Sequence, residues 1–190
     1  MNKLVVILQR LDYVNDTNIE IISYGLKRIL ELIKDISITL LCSLLLGNIT
    51  MGILFELVYI PLRIYAGGYH ASTPQKCSYL SYGSMIGCLT IIFFFPIKKF
   101  ILHVCMLLFT IIILIHAPVE SPNKVLSVKE KKVFRRNCVY ISIIEILLYC
   151  IFMFLHRLIY AKTIMISTGL IAISIVAALI QKQQFLKKYH

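Results

Sequence analysis

Acidic residues are scarce in this chain: nine Asp and Glu stand against 20 Lys and Arg, a formal net charge of +11 over 190 residues. The common signatures of chemistry are missing too. There is no HExxH, which makes a zinc peptidase improbable, and no GxSxG and no P-loop. Cysteines at 42, 77, 88, 105, 138 and 150 form no CxxC pair, so neither a disulfide framework nor a metal site is expected. Internal repeats, low-complexity tracts and a soluble domain are absent. The N-terminal apolar run Leu4–Leu8 is too short for a signal h-region and no small-residue cleavage site follows, so the spans themselves are expected to direct insertion.

Apolar residues, by contrast, are abundant. They make up 59% of the chain, above the usual 45–50% of soluble domains, and mean hydropathy is +0.84. The excess sits in blocks at 36–60, 77–95, 100–116, 138–155 and 163–180. Blocks of about 18 residues read as membrane spans. Before them, Ile19, Ile22, Leu26, Ile29, Leu30 and Ile33 fall on one helical stripe, which suits an interfacial amphipathic helix. The positive charge then reads as span flanks facing anionic lipid rather than as a nucleic-acid surface.

The block at 36–60 is interrupted by Gly47-Asn48. As a single span it leaves Lys and Arg nearly even on the two sides, 9 against 11. As a hairpin turning at Gly47-Asn48 it puts 16 inside and 4 outside, which the positive-inside rule prefers. The expected architecture is therefore an all-α, polytopic integral membrane bundle with about six membrane segments and an amphipathic N-terminal helix. It forms one transmembrane domain over 1–190. Its parts are an interfacial segment 1–35, a hairpin 36–60, a cytoplasmic loop 61–77, four spans within 78–180 and a basic cytoplasmic tail 181–190, with both termini cytoplasmic.

Loop 61–77 is where Gly, Pro, His, Arg and Cys crowd together at a membrane edge. Pro61, Gly67 and Gly68 are expected to stop one helix, and Pro74 suits the start of the next. Ser72 or Thr73 is a natural N-cap, and Ser72 with Gln75 fits a capping box. Cys77 then lies near a helix start, beside Lys76. A helix N-terminus and a nearby cation both favour thiolate, and His70 could take the thiol proton. On a continuous helix seven residues span about 10 Å, so the pair meets only if the loop folds His70 back. Spacing alone leaves catalysis open beside a structural role for each residue. Glu56 and Glu145 lie inside apolar segments, where structural pairing and a functional pathway are both readings.

The segment with Arg63, Ala66-Gly67-Gly68, His70-Ala71 and Cys77 resembles the accessory gene regulator B family, membrane endopeptidases that process autoinducing-peptide precursors. A second likeness is the run from Ala117 to Lys124, after a span and ahead of a basic loop. The resemblance implies His70 as catalytic base and Cys77 as nucleophile, with Arg63 and Gly68 functionally important. It implies cleavage through a Cys77 thioester that a substrate cysteine then captures as a cyclic thiolactone. It implies a precursor with an amphipathic N-terminal part and an acidic C-terminal part, no cofactor, and a homodimer. Arg63 is a candidate donor to a substrate carboxylate or carbonyl, or an edge anchor; Gly67 and Lys76 support the site. Backbone N–H groups around Lys76-Cys77 are candidate oxyanion donors. A small permease or peptide exporter without covalent chemistry, its pathway lined by Glu56 and Glu145, is the alternative, and a non-catalytic scaffold the third reading.

Overall fold

The computed structural model describes residues 19–69, 71, 73–120 and 126–189. Among the described residues six helices follow in order: α1 Ile19–Leu45, α2 Ile49–Ala66, α3 Pro74–Phe94, α4 Lys99–His116, α5 Val128–Phe154 and α6 Leu158–Tyr189. The chain divides into two compact units, 1–38 and 39–190, with the border inside α1.

In the first unit, Ile29, Leu30 and Ile33 of the expected stripe are exposed. The amphipathic segment and the first hairpin arm form one continuous helix. Among the described residues, five helices are long and apolar enough to cross a membrane: Ile49–Ala66, Gln75–Phe94, Lys99–His116, Val128–Phe154 and Leu158–Gln184. The chain is thus an all-α polytopic membrane bundle. α1 falls outside this set because Lys27, Arg28, Glu31, Lys34 and Asp35 dilute its first half.

Within the second unit, the hairpin turns at the expected Gly47-Asn48 break. Gly47 adopts φ +75°. The Asn48 N–H donates to Ser43 O and the Gly47 N–H to Leu44 O, both at 2.9 Å. These are the paired bonds of a Schellman stop, which needs a left-handed residue at the position Gly47 fills. Asn48 then caps α2, its side chain accepting from the Met51 amide at 3.1 Å. Gly52 lets the two arms approach closely, since a Cβ there would collide with the Ser43 side chain.

Three expected boundaries move. α2 does not stop at Pro61 but runs through it to Ala66, so the loop is far shorter than 61–77, and Pro74–Cys77 already belong to α3. A proline removes one N–H from the ladder, and surrounding helices can absorb that loss. The loop 117–137 is shortened too, because α5 begins at Val128 and carries the basic run. Its start is fixed by a capping box between Ser127 and Glu130, a signal that hydropathy does not register. The tail from 181 continues as α6 to Tyr189.

α6 is the axis of the second unit. In its most apolar stretch 56% is buried, against 17% to 39% in the other spans. Ile171, Ala172, Ile175 and Ala178 pack with Leu62, Ala66, Ile113 and Cys138 at one end. Ala161, Ile164 and Met165 pack with Val58, Leu102 and Met106 further along. The remaining helix faces are covered with exposed Leu, Ile and Phe, such as Leu57, Phe100, Leu107 and Leu147, which only lipid or a partner could solvate. At the end of the bundle opposite the 67–73 loop, Lys162 Nζ donates to Phe95 O, tying the α3–α4 turn to the start of α6.

Enlarging Gly52 should separate the α1–α2 arms. Overpacking costs about 1–3 kcal/mol, so Gly52→Val should lower the thermal midpoint in detergent. Gly87→Ala, where a Cβ meets open space, should leave it unchanged.

Candidate functional site

The 67–73 connection begins with two glycines in backbone conformations closed to other residues. Gly67 has φ +75° and Gly68 φ +133°. A Cβ on Gly67 would strike Val119 O, and one on Gly68 would strike the Arg63 guanidinium and Ser174 Oγ. Both glycines are therefore demanded by close approach as well as by φ.

The approach at Gly67 comes from the second motif. Residues Gly67 and Val119 form a parallel bridge, and the Val119 N–H donates to Ala66 O at 2.9 Å. The 117–120 segment is itself held from α5, where Arg135 Nη1 donates to Ala117 O at 3.3 Å. Lys131 Nζ pairs with Glu120 Oε1 at 3.0 Å, and the same oxygen accepts from the Leu126 amide at 3.0 Å. The Lys131 hydrogen bond, then the Leu126 bond, hold the Glu120 carboxyl below the ordinary carboxylate range, with the charges of Lys131 and Lys182 adding to the effect.

The approach at Gly68 comes from Arg63. Its Nη1 donates to Gly67 O at 2.5 Å and to Ser174 Oγ at 2.8 Å; its Nη2 donates to Tyr69 O at 2.8 Å. The forked donors expected to read a carbonyl thus read carbonyls of this chain's own turn. The Tyr69 N–H in turn donates to Ser174 Oγ and Ser174 O, each at 3.0 Å. Ser174, set in an apolar stretch of α6, was invisible to motif reasoning. A small hydroxyl in a membrane helix signals a polar contact to another element, but not which one.

The cysteine side of the site is built by the start of α3. Thr73 is the N-cap, its side chain accepting from the Lys76 amide at 3.3 Å, with Pro in the first turn. This replaces the expected Ser72–Gln75 box: with Thr73 as cap, the third helical residue is Lys76. The Cys77 amide donates to Thr73 O at 3.1 Å, so Cys77 sits one turn into the helix, half-buried, while Lys76 is exposed. All six cysteines are free thiols. His70 and Ser72 lie outside the described residues, as do 121–125.

Glu56 and Glu145 are both buried in the bundle, at 6% and 2% exposure, and Thr168 Oγ1 donates to Glu145 Oε2 at 3.0 Å. The Glu145 contact is an interhelical pairing, as the structural reading anticipated. Among the described residues no three His, Cys, Asp or Glu side chains gather in a way that could hold a metal ion.

Fold and turn together define a polytopic helical membrane protein in which the described parts of two inter-helix connections meet at a glycine pair. The family model described as "AgrB: Accessory gene regulator B" matches residues 1–176, and the chain belongs to that family. Comparisons with curated proteins and with solved structures give no match.

A depressed carboxyl pKa stabilises the fold above its unfolded value and loses that contribution as pH falls through the folded one. Acidification below the ordinary carboxylate range should therefore speed Leu126 amide exchange beyond its intrinsic change, and Glu120→Gln should abolish this step. Gly68→Ala should cost about 1–3 kcal/mol from the φ alone, read as a lowered unfolding midpoint, and should also break the hydrogen bond between Arg63 and Ser174.

Proposed function

We propose that this protein is a membrane cysteine endopeptidase that cleaves a quorum-sensing peptide precursor and closes the product into a thiolactone. Membership of the accessory gene regulator B family over residues 1–176 carries this reading. Arg63, Gly67, Gly68, His70 and Cys77 fit the family motif. His70 takes the proton of the Cys77 thiol, and the sulfur attacks one peptide carbonyl of the precursor. The C–N bond breaks, the C-terminal piece leaves as an amine carrying that proton, and an acyl thioester remains on Cys77. A cysteine thiol of the substrate attacks the thioester, and the Cys77 sulfur departs. One thioester replaces another, so ring closure needs no added energy source. Shelter from water at the membrane edge protects the intermediate from hydrolysis.

The cytoplasmic face is the proposed side for this chemistry. Lys76, Lys129, Lys131, Lys132, Arg135 and Arg136 all lie at the end of the bundle that carries the 67–73 loop, whereas Lys98, Lys99, Arg157 and Lys162 flank the turns at the other end. The positive-inside rule then favours a cytoplasmic loop and cytoplasmic termini. An acidic C-terminal part of the precursor would meet the exposed cations at the start of α5, which the Val119–Ala66 bond keeps near the glycine turn. Gly67, Gly68 and Lys76 support the site, and the assembly implied by the family is a homodimer.

The test is mass spectrometry of the purified full-length protein incubated with the peptide encoded beside its gene. An acyl adduct on Cys77 is the expected result. Cys77→Ala should lower precursor cleavage by about 10^3-fold or more, as loss of a nucleophile does, and normal cleavage by that variant would end the peptidase reading in favour of an exporter or scaffold.

A further inference from the structure

Ser174 lies well inside α6, and the chemistry just described makes no use of it. A serine that serves only helix packing meets a neighbouring helix; this one meets both a neighbouring helix and the turn that follows it. Its hydroxyl accepts from Arg63 Nη1 at 2.8 Å and from the Tyr69 amide at 3.0 Å, and its carbonyl accepts from the same amide at 3.0 Å. Both backbone groups of Tyr69 are therefore committed: the N–H to Ser174, and the C=O to Arg63 Nη2 at 2.8 Å. That carbonyl belongs to the peptide group that joins Tyr69 to the next residue. A peptide group is planar, so committing both backbone groups of Tyr69 fixes the orientation of Tyr69 itself. Two helices, α2 through Arg63 and α6 through Ser174, thus close a triangle on one residue, and Gly68 is without a side chain because the triangle occupies that space.

We propose that Ser174 is a positioning residue for the peptidase reaction: by holding Arg63 and Tyr69 it fixes the glycine turn that precedes the proposed dyad in the chain. This rests on the dyad reading above. The oxygen of Ser174 orients the donors of Arg63, and without it Nη1 keeps Gly67 O but loses the fixed point on α6. The main-chain bond from the Tyr69 amide to Ser174 O survives any side-chain change, so loss of the hydroxyl loosens the turn without releasing it. Displacement of about 1 Å in a catalytic group costs on the order of 10^2-fold in rate, and a loosened anchor should cost somewhat less.

The full-length protein in phospholipid vesicles, given its precursor peptide, supplies the test. Ser174→Ala should lower kcat by about 10-fold to 10^2-fold with little change in KM, and should move the acid limb of kcat against pH to higher pH. Ser174→Thr, which keeps the oxygen, should recover most of the activity. Ser142→Ala, at a buried serine on α5 with no part in the triangle, should behave as wild type and serves as the folding control. Should Ser174→Ala fail to fold, Ser174→Cys, with a weaker acceptor of similar size, is read in the same way. Wild-type kcat and pH profile in the folded variant overturn the proposal. So does a loss of activity that Ser142→Ala shares and that leaves the pH profile unmoved. Either result leaves the peptidase reading standing as long as Cys77→Ala is inactive; an active Cys77→Ala removes both.

Discussion

A guanidinium carries five N–H donors and keeps its charge at any pH a cell reaches, so an arginine at the end of a membrane helix has to find acceptors. Arg63 finds Gly67 O, Tyr69 O and Ser174 Oγ. The rest of the site follows from that choice. The carbonyls must turn inward to be reached, which forces positive φ at Gly67 and Gly68. A turn that tight leaves Ala66 O and the face of Gly67 open at the bundle end, and the 117–120 segment fills them through Val119. Lys131 and Arg135 then hold that segment to α5.

The helices supply the rigidity that makes such a turn persist. Leu62, Ala66, Ile113, Ala117, Val119, Ile171, Ala172 and Ile175 form one packed cluster directly beneath the loops. Side chains in such a cluster lock the rotation of α2 relative to α6, and that rotation decides whether Arg63 faces Ser174 or lipid. Charged and hydroxyl groups inside a bilayer persist only where they face protein partners. Lys162 with Phe95 O and Thr168 with Glu145 obey the same constraint elsewhere in the bundle.

The second motif gains a meaning from this arrangement. Ala117–Glu120 packs on the glycine turn through Val119. The basic start of α5 comes along with it, held through Lys131 on Glu120 and Arg135 on Ala117. The cationic helix start and the glycine turn are thereby mechanically linked through a few bonds at Ala66, Ala117 and Glu120.

Much of this was legible in the chain. Apolar runs of span length, the break at Gly47-Asn48 and the turn at Gly67-Gly68 are local properties, and local sterics and hydropathy settle them. Helix limits were less legible. Pro61 is absorbed in mid-helix, and α5 begins ten residues before its apolar stretch, because hydropathy tracks contact with lipid whereas helicity also follows capping and packing. What only the tertiary structure decided is which acceptor Arg63 finds, and that Val119 and Ser174, about fifty and about a hundred residues away along the chain, close on the turn. Those contacts depend on helix rotation within the bundle. Rotation is fixed by the summed shape of many interchangeable apolar side chains, and no single position in the sequence records it.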